Sequence, residues 1–474
     1  METIQKEENR GTGPRSLWRE LRKALAGTEA DYTEISIGRA VFLLSVPMVL
    51  ELVMESAFAV VDIYFVGILG PSAIATVGLT ETYLFLFYSV AIGLSTAVTA
   101  IVARRIGEKD KEQAGLAGIQ SIFLAAAVSV PFTIFGIWFA KDLLAWMGAD
   151  AWALEHGYRY TQWIFAGNLA IILLFIINSI FRGAGDAAIA MRILWISNGL
   201  NMILDPILIF GFGPIPAMGI EGAAIATNIG RGLGVILQLF LLFKGGKHIQ
   251  VLRSQIRLEW KVIVDLIKTS LGGIGQTIIG MTSWIFMVRI IAEFGSQAVA
   301  GATIALRIMM FTLMPSWGMS NAVATLVGQN LGAQRPDRAE KAVWVTGVWN
   351  MSFLIAVSIL YFLFSEKLVS IFSEDSTVIS IGSEWLRIVS YSYFVYAWWM
   401  VSVQAFNGAG DTATPTKINF VFFWVLQIPF AYVIAKVLAF GYSGVFWASM
   451  ITETSIGLFT LWLFTKGNWK KTQV

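Results

Sequence analysis

The chain has 474 residues, of which 56% are hydrophobic and only 14% charged, and its net charge is +3. A soluble protein of this size carries roughly 25% charged residues, so the composition excludes an ordinary soluble domain, and the small positive balance gives no basis for nucleic-acid binding. The lack of cysteine removes disulfides, thiolate metal sites and cysteine nucleophiles, and the two distant histidines, His156 and His248, exclude a multi-histidine metal site.

Residues 1–37 read as a polar N-terminal segment with no short apolar core before a cleavage site, so no cleaved signal peptide is expected. Within it Leu17, Trp18, Leu21, Ala24 and Leu25 form an apolar stripe at helical spacing, beside Arg15, Arg19, Arg22 and Lys23. That pattern fits a short helix lying on the membrane surface, or else a disordered basic leader.

Twelve apolar segments then follow, each long enough to cross a bilayer. They run over 38–66, 72–102, 114–140, 155–180, 188–211, 219–243, 262–293, 297–328, 339–365, 378–405, 415–437 and 443–466. Lys and Arg concentrate in alternate loops: Arg104, Arg105, Lys109 and Lys111; Arg182 and Arg192; Lys244, Lys247, Arg253, Arg257 and Lys261; Arg335, Arg338 and Lys341. The opposite loops hold little beyond Lys141, Lys367 and Lys436. The positive-inside bias predicts a multi-pass protein of the cell (inner) membrane with both termini in the cytoplasm.

The chain also repeats itself. Phe181-Arg-Gly-Ala-Gly-Asp186 recurs 225 residues later as Phe406-Asn-Gly-Ala-Gly-Asp411. The same offset maps Ala103-Arg-Arg-Ile-Gly107 onto Gly328-Gln-Asn-Leu-Gly332, and Gly70-Pro-Ser-Ala-Ile-Ala75 onto Gly295-Ser-Gln-Ala-Val-Ala300. Six spans per half give both halves the same orientation, hence a parallel repeat about an axis along the membrane normal. The expected fold is all-α and integral to the membrane, with twelve transmembrane helices in two six-helix lobes. The N-terminal lobe covers 38–243, a basic linker 244–261, the C-terminal lobe 262–466 and a short tail 467–474. Asp186 and Asp411 are expected to cap the helices after the two Gly-Ala-Gly turns.

Ionisable residues inside spans are costly and mark function by default. Glu51, Glu55 and Asp62 share one face of the first span, at spacings of four and seven. Asn198, Asn201 and Asp205 share a face of the fifth, where Pro206 leaves a backbone carbonyl free of its helical partner. Two carboxylates and an amide oxygen are hard donors that could hold Na+ or exchange a proton. At the repeat offset Glu51 meets Gln276, Asp62 meets Met287, Asn201 meets Leu426 and Asp205 meets Phe430, so the acidic cluster belongs to the N-terminal half alone. Glu81 and Glu453 are further acids within spans. Arg231, Arg289 and Arg307 read as partners for acids or as snorkelling side chains, and Glu221 and Glu293 as interfacial. Met54, Phe58, Met281, Trp284 and Met287 are candidates to line a substrate cavity, where thioethers and aromatic faces suit varied amphipathic cations.

Val327-Gly-Gln-Asn-Leu-Gly-Ala-Gln-Arg-Pro-Asp-Arg-Ala339, Gly408-Ala-Gly-Asp-Thr-Ala-Thr-Pro415, and Pro47 with Val61-Asp-Ile-Tyr-Phe-Val-Gly67 resemble motifs of the multidrug and toxic compound extrusion (MATE) family. The resemblance spans about 38–466 in register. It implies an antiporter, monomeric and without a cofactor, that expels amphipathic and often cationic compounds against inward Na+ or H+. Asp62, Asn201 and Asp205 match positions that form the N-lobe cation site in DinF-like members of that family. Tyr160 and Thr227 are the best matches for the Tyr and Thr that complete it there. Gln276 stands near the acid used by NorM-like members. A flippase for lipid-linked oligosaccharide or another lipid, from the same superfamily, is the alternative within transport, and the acidic N-lobe cluster argues against it. No Gly-Lys-Ser/Thr phosphate loop and no nucleophile–base pair are visible, so neither ATP coupling nor an intramembrane enzyme is expected.

Overall fold

The computed structural model describes residues 14–28, 30–245 and 249–472. Residues 1–13 of the N-terminal segment, Lys247 and His248 of the basic linker, and the last two residues lie outside the described residues. Helix α1 (Pro14–Ala26) leaves Leu17 and Trp18 exposed while Ala24 is buried against the bundle. Six helices follow: α2 (Ile37–Ile68), α3 (Pro71–Gly107), α4 (Lys111–Trp146), α5 (Ala153–Ala184), α6 (Ala187–Phe210) and α7 (Ile220–Lys244). The second six-span set is α8 (Trp260–Ala292), α9 (Ser296–Gly332), α10 (Pro336–Ser370), the pair α11 (Ser376–Ser390) and α12 (Tyr393–Ala409), α13 (Ala413–Val437) and α14 (Gly441–Thr465). Ten of these helices are long and apolar enough to cross a membrane by themselves. The α11–α12 pair and α14 occupy the remaining two places in the twelve-helix plan.

The helices outrun the apolar segments read from the sequence. The segment 72–102 becomes Pro71–Gly107, and 339–365 becomes Pro336–Ser370. Hydropathy stops at the first charge, whereas a helix stops at its cap. Asp110 accepts from the Gln113 N–H to start α4, and Pro336 starts α10. The two Gly-Ala-Gly turns are built alike: Gly185 and Gly410, one repeat apart, take φ of 93° and 90° as left-handed helix terminators, which a side chain would strain. Asp411 then accepts hydrogen bonds from the Thr414 backbone and hydroxyl, at 3.1 and 2.7 Å. Asp186 holds the same place before α6 without a side-chain cap bond.

Each lobe has its own core. Ile176, Ile180, Val98 and Leu194 are among those filling the N-terminal lobe, and Leu386, Tyr361, Ala397 and Phe446 the C-terminal one. Between the lobes α3 packs on α8 and α2 on α9, and this seam is two-fold symmetric in detail. A Cβ on Gly93 would meet the Ile274 backbone nitrogen at 2.4 Å, and one on Gly318 would meet the Val49 Cα at 2.7 Å. Gly318 is the repeat counterpart of Gly93, and Ile274 of Val49. Likewise Gly107 abuts the Gln329 carbonyl and its counterpart Gly332 abuts the Arg104 carbonyl. Positions related by the 225-residue offset therefore touch each other's lobes reciprocally, as a two-fold axis through the seam requires. Gly93 and Gly107 are separated by about 20 Å of helix, so the tight contact runs from the basic-loop end to near mid-membrane.

Two segments strap the lobes together at that end. Tyr32 is buried and donates its hydroxyl to the Gly185 carbonyl at 3.2 Å. From the other lobe Arg335 donates to the Thr33 carbonyl at 2.5 Å, and Arg338 to the carbonyls of Tyr32 and Ile35. At the chain end the Thr472 carbonyl accepts from Arg104, while Lys470 pairs with Glu340 at 2.5 Å.

Candidate functional site

Helices α2, α3, α5, α6 and α7 bring the polar residues of the N-terminal lobe together. Asp205 is fully buried on α6 and Asn201, one turn earlier, is 2% exposed. The Asn201 amide bridges Asp205 to Thr227 on α7. Its nitrogen donates to Asp205 Oδ2 and Oδ1 at 2.8 and 3.2 Å while its oxygen accepts from the Thr227 N–H and hydroxyl at 2.9 and 3.0 Å. Asp62 on α2 is half-buried and lies within electrostatic reach of Asp205 and of Glu81 on α3. Tyr160 on α5 is buried, with Asp62, Glu81 and Asp205 all in electrostatic reach of its phenol. The five residues expected to form one site thus converge, and Glu81 joins them.

Glu51 and Glu55 share the α2 face with Asp62 but are already neutralised. Arg182 and Asn178 on α5 each donate to Glu51 Oε1 at 3.2 Å, and Gln238 Nε2 on α7 donates to Asn178 Oδ1 at 2.6 Å. Arg231 on α7 forks onto both Glu55 oxygens at 2.5 and 3.3 Å, and Asn198 adds a third donor at 2.9 Å. The guanidinium also covers the Phe58 ring at 5.1 Å. The Glu55 pair is thus self-contained, while the second Glu51 oxygen, Oε2, is buried without a hydrogen-bond partner. Asp62 and Asp205, by contrast, form no ion pair among the described residues.

The Arg182 partnership was not read from the sequence, where Arg182 counts only as a basic loop residue. Its signal lies in the repeat. Glu51 and Arg182 correspond to Gln276 and Asn407, and the structure hydrogen-bonds those two, Gln276 Nε2 to Asn407 Oδ1, at 3.0 Å. Both members lose their charge together, so a charged contact in one lobe is a neutral contact in the other. Loss of Glu51 in the second half is therefore compensated structurally, unlike the replacement of Asp62 and Asp205.

The C-terminal counterpart of the Asp62 site is sealed with apolar side chains. Met287, at the place of Asp62, is fully buried in the lobe core. Trp385, at the place of Tyr160, is stacked between Trp284 at 5.4 Å and Phe446 at 4.7 Å. Met287 is thus packed inside the core, and Trp284 lies half-buried against it, while Met54, Phe58 and Met281 are half-buried. Glu221 accepts from Trp163 at 2.6 Å and Glu293 pairs with Lys436, both near helix ends.

Among the described residues no three Asp, Glu, His or Cys side chains gather as a metal-holding group. Two carboxylates, an amide and a hydroxyl suit a monovalent cation or a proton in place of a polyvalent metal.

The MatE family model matches this chain twice, over residues 47–207 and again over 270–433. Over 432 residues the chain is 26% identical to a protein named probable multidrug resistance protein NorM from Thermotoga maritima, covering 91% of this chain and 93% of that one. Over 400 residues it is 25% identical to a protein named FAD transporter from Shewanella oneidensis, covering 83% and 87%. A solved structure described as the outward-facing conformation of a multidrug resistance MATE family transporter shares the fold, with a TM-score of 0.87 at 24% identity, over 94% of this chain and 99% of that one. A doubled family match on a doubled, two-lobed helical fold establishes that this chain belongs to the MATE family of multi-pass membrane transporters, which are not enzymes.

Proposed function

We propose that the protein is a secondary active exporter of amphipathic cationic small molecules, driven by inward flow of Na+ or H+ through Asp62 and Asp205. One observation carries this reading: of the acids on the N-lobe faces of α2 and α6, these two alone form no ion pair, Arg231 within reach of Asp62 being held by Glu55, and Asn201 and Thr227 complete their surroundings. An ionised carboxylate at membrane depth needs a counter-ion or a proton. This arrangement matches the DinF-like pattern, with Tyr160 as the buried wall of the site.

The Asn201 amide supplies a physical link between occupancy and structure. Its nitrogen satisfies the ionised Asp205 while its oxygen is held by Thr227 on α7. A cation or proton on Asp205 competes with that donor, so occupancy on α6 is felt at α7 through Asn201. On α2, Pro47 lies between the seam residue Val49 and the basic-loop end. Cation arrival at Asp62 is transmitted along this helix, whose ladder Pro47 interrupts. Substrate binding in the opposite lobe then weakens as the seam repacks.

With the basic loops in the cytoplasm of a cell with this inner membrane, the glycine seam closes the cytoplasmic side. The protein works as a monomer in the bilayer and uses no cofactor beyond the coupling ion. FAD, the cargo in the name of one relative, is anionic. The two guanidiniums inside the N-terminal lobe, half-buried Arg182 and buried Arg231, are each already held by a glutamate, which favours a cationic cargo. Purified protein in liposomes with imposed gradients tests the proposal. Uphill movement of an organic cation under a Na+ or pH gradient supports it, and movement indifferent to both gradients overturns it.

A further inference from the structure

We infer that the C-terminal lobe carries its own docking site for the charged head of an organic cation, built around Glu453 with Tyr396, Trp399 and Phe423. The inference rests on the export reading above and places the cargo in the opposite lobe from the coupling ion.

Glu453 stands at the midpoint of α14, twelve residues from either end. It is half-buried, and no hydrogen bond or ion pair holds its carboxylate among the described residues. Tyr393 and Tyr396 on α12 lie within its electrostatic reach. Its repeat counterpart is neutral: Asn228 donates to the Trp163 carbonyl at 2.6 Å. The C-terminal lobe therefore has apolar residues at the Asp62 and Asp205 positions and an acid where the N-terminal lobe has Asn228.

Helix α12, which packs on α14, carries an aromatic ladder. Tyr393 contacts Tyr396 at 6.1 Å between ring centroids, Tyr396 contacts Trp399 at 5.0 Å, and Trp399 meets Phe423 of α13 edge-on at 6.1 Å. Tyr396, Trp399 and Phe423 are each half-buried, so the ladder has accessible faces. One polar atom on it is buried and unused, the Trp399 indole nitrogen. The Tyr393 hydroxyl meets that of Tyr361, which donates to the Ile308 carbonyl at 3.3 Å. A lone carboxylate at membrane depth is strongly disfavoured without a counter-charge. The ligand that suits this one is a soft, diffuse cation. Aromatic faces attract a quaternary or phosphonium centre, whereas Na+ needs several hard oxygens that this ladder does not offer.

Tetraphenylphosphonium binding to the purified full-length protein, measured by calorimetry without any gradient, tests the site. Glu453→Gln is expected to weaken binding by about tenfold or more and Glu453→Asp to restore most of it. A second arm uses the unmodified protein and dicyclohexylcarbodiimide, which modifies protonated carboxyls in apolar surroundings. Tetraphenylphosphonium is expected to protect Glu453 from modification, and Na+ is not. Equal binding by Glu453→Gln, or equal labelling of Glu453 with and without the phosphonium, would overturn the site. Absence of binding by the unmodified protein would overturn both the site and the export reading. Glu453-dependent binding in a protein that shows no gradient-driven export would leave the site standing and overturn the export reading alone.

Discussion

Asp62 and Met287 stand at the same position in two copies of one fold, and their surroundings have diverged completely. Asp62 is half-buried in electrostatic reach of Asp205, whereas Met287 is fully buried in the core of the C-terminal lobe. A duplicated lobe needs only one ion site to couple a rocking motion. The second lobe is then free to fill the equivalent space with packing, as the Trp284–Trp385–Phe446 stack does.

Thr227 supplies both a backbone N–H and a hydroxyl to the Asn201 bridge. Thr227→Val keeps the shape and removes the hydroxyl. Loss of one hydrogen bond between neutral groups is worth about 0.5–1.5 kcal/mol. The half-saturating concentration of the coupling cation should therefore rise about two- to tenfold, with little change in maximal transport rate. Initial rates of export against cation concentration measure both quantities.

Glu51 and Arg182 should behave as a structural unit. Either Glu51→Gln or Arg182→Asn alone leaves a buried charge unpaired and should cost about 3–5 kcal/mol, lowering the thermal midpoint in detergent. The double variant installs the pair that Gln276 and Asn407 already form in the other lobe. It is expected to recover most of the stability and to retain cation-driven export. A double variant no more stable than either single one contradicts the compensated swap.

Gly93 lies against the backbone of α8 with no room for a methyl group. Gly93→Ala should force the lobes apart near mid-membrane and reduce export by an order of magnitude or so. Gly78 on the same helix has open space around it. Gly78→Ala should leave export intact and stabilise the helix slightly, by about 0.5–1 kcal/mol. Export rates of the two variants, with thermal midpoints as the folding control, make the comparison.

Arg335 and Arg338 hold the chain around residues 32–35 through its carbonyls. Arg338→Ala is expected to release that strap and raise hydrogen exchange of the Thr33 and Glu34 amides several-fold, while amides in the middle of α9 stay protected. Exchange mass spectrometry of the reconstituted protein reads this directly.

Much of this fold was legible because a membrane leaves few solutions. Long apolar runs must be helices, and one offset linking three motifs must be a repeat. The chain order of the spans and the convergence of Asp62, Tyr160, Asn201, Asp205 and Thr227 follow that reading. Hydropathy did not reveal the interruption between Ser390 and Tyr393, because both flanks are apolar and the break is a matter of backbone geometry. Nor did it reveal the π-helical stretch Phe420–Gln427, whose repeat counterpart in α6 is Trp195–Met202, the stretch that carries Asn198 and Asn201. The Glu51–Arg182 pair escaped because a terminal Arg looks like a topology signal. Only the paired change to Gln276 and Asn407 marks it as a contact.

The central claim is that Asp62 and Asp205 together bind the cation that drives export. Its most direct test reconstitutes Asp62→Asn and Asp205→Asn in liposomes and follows organic-cation accumulation under the gradient that drives the unmodified protein. Both variants should fold, bind the organic cation and equilibrate it at best, with no uphill accumulation. Uphill transport at the unmodified rate by either folded variant would contradict the account.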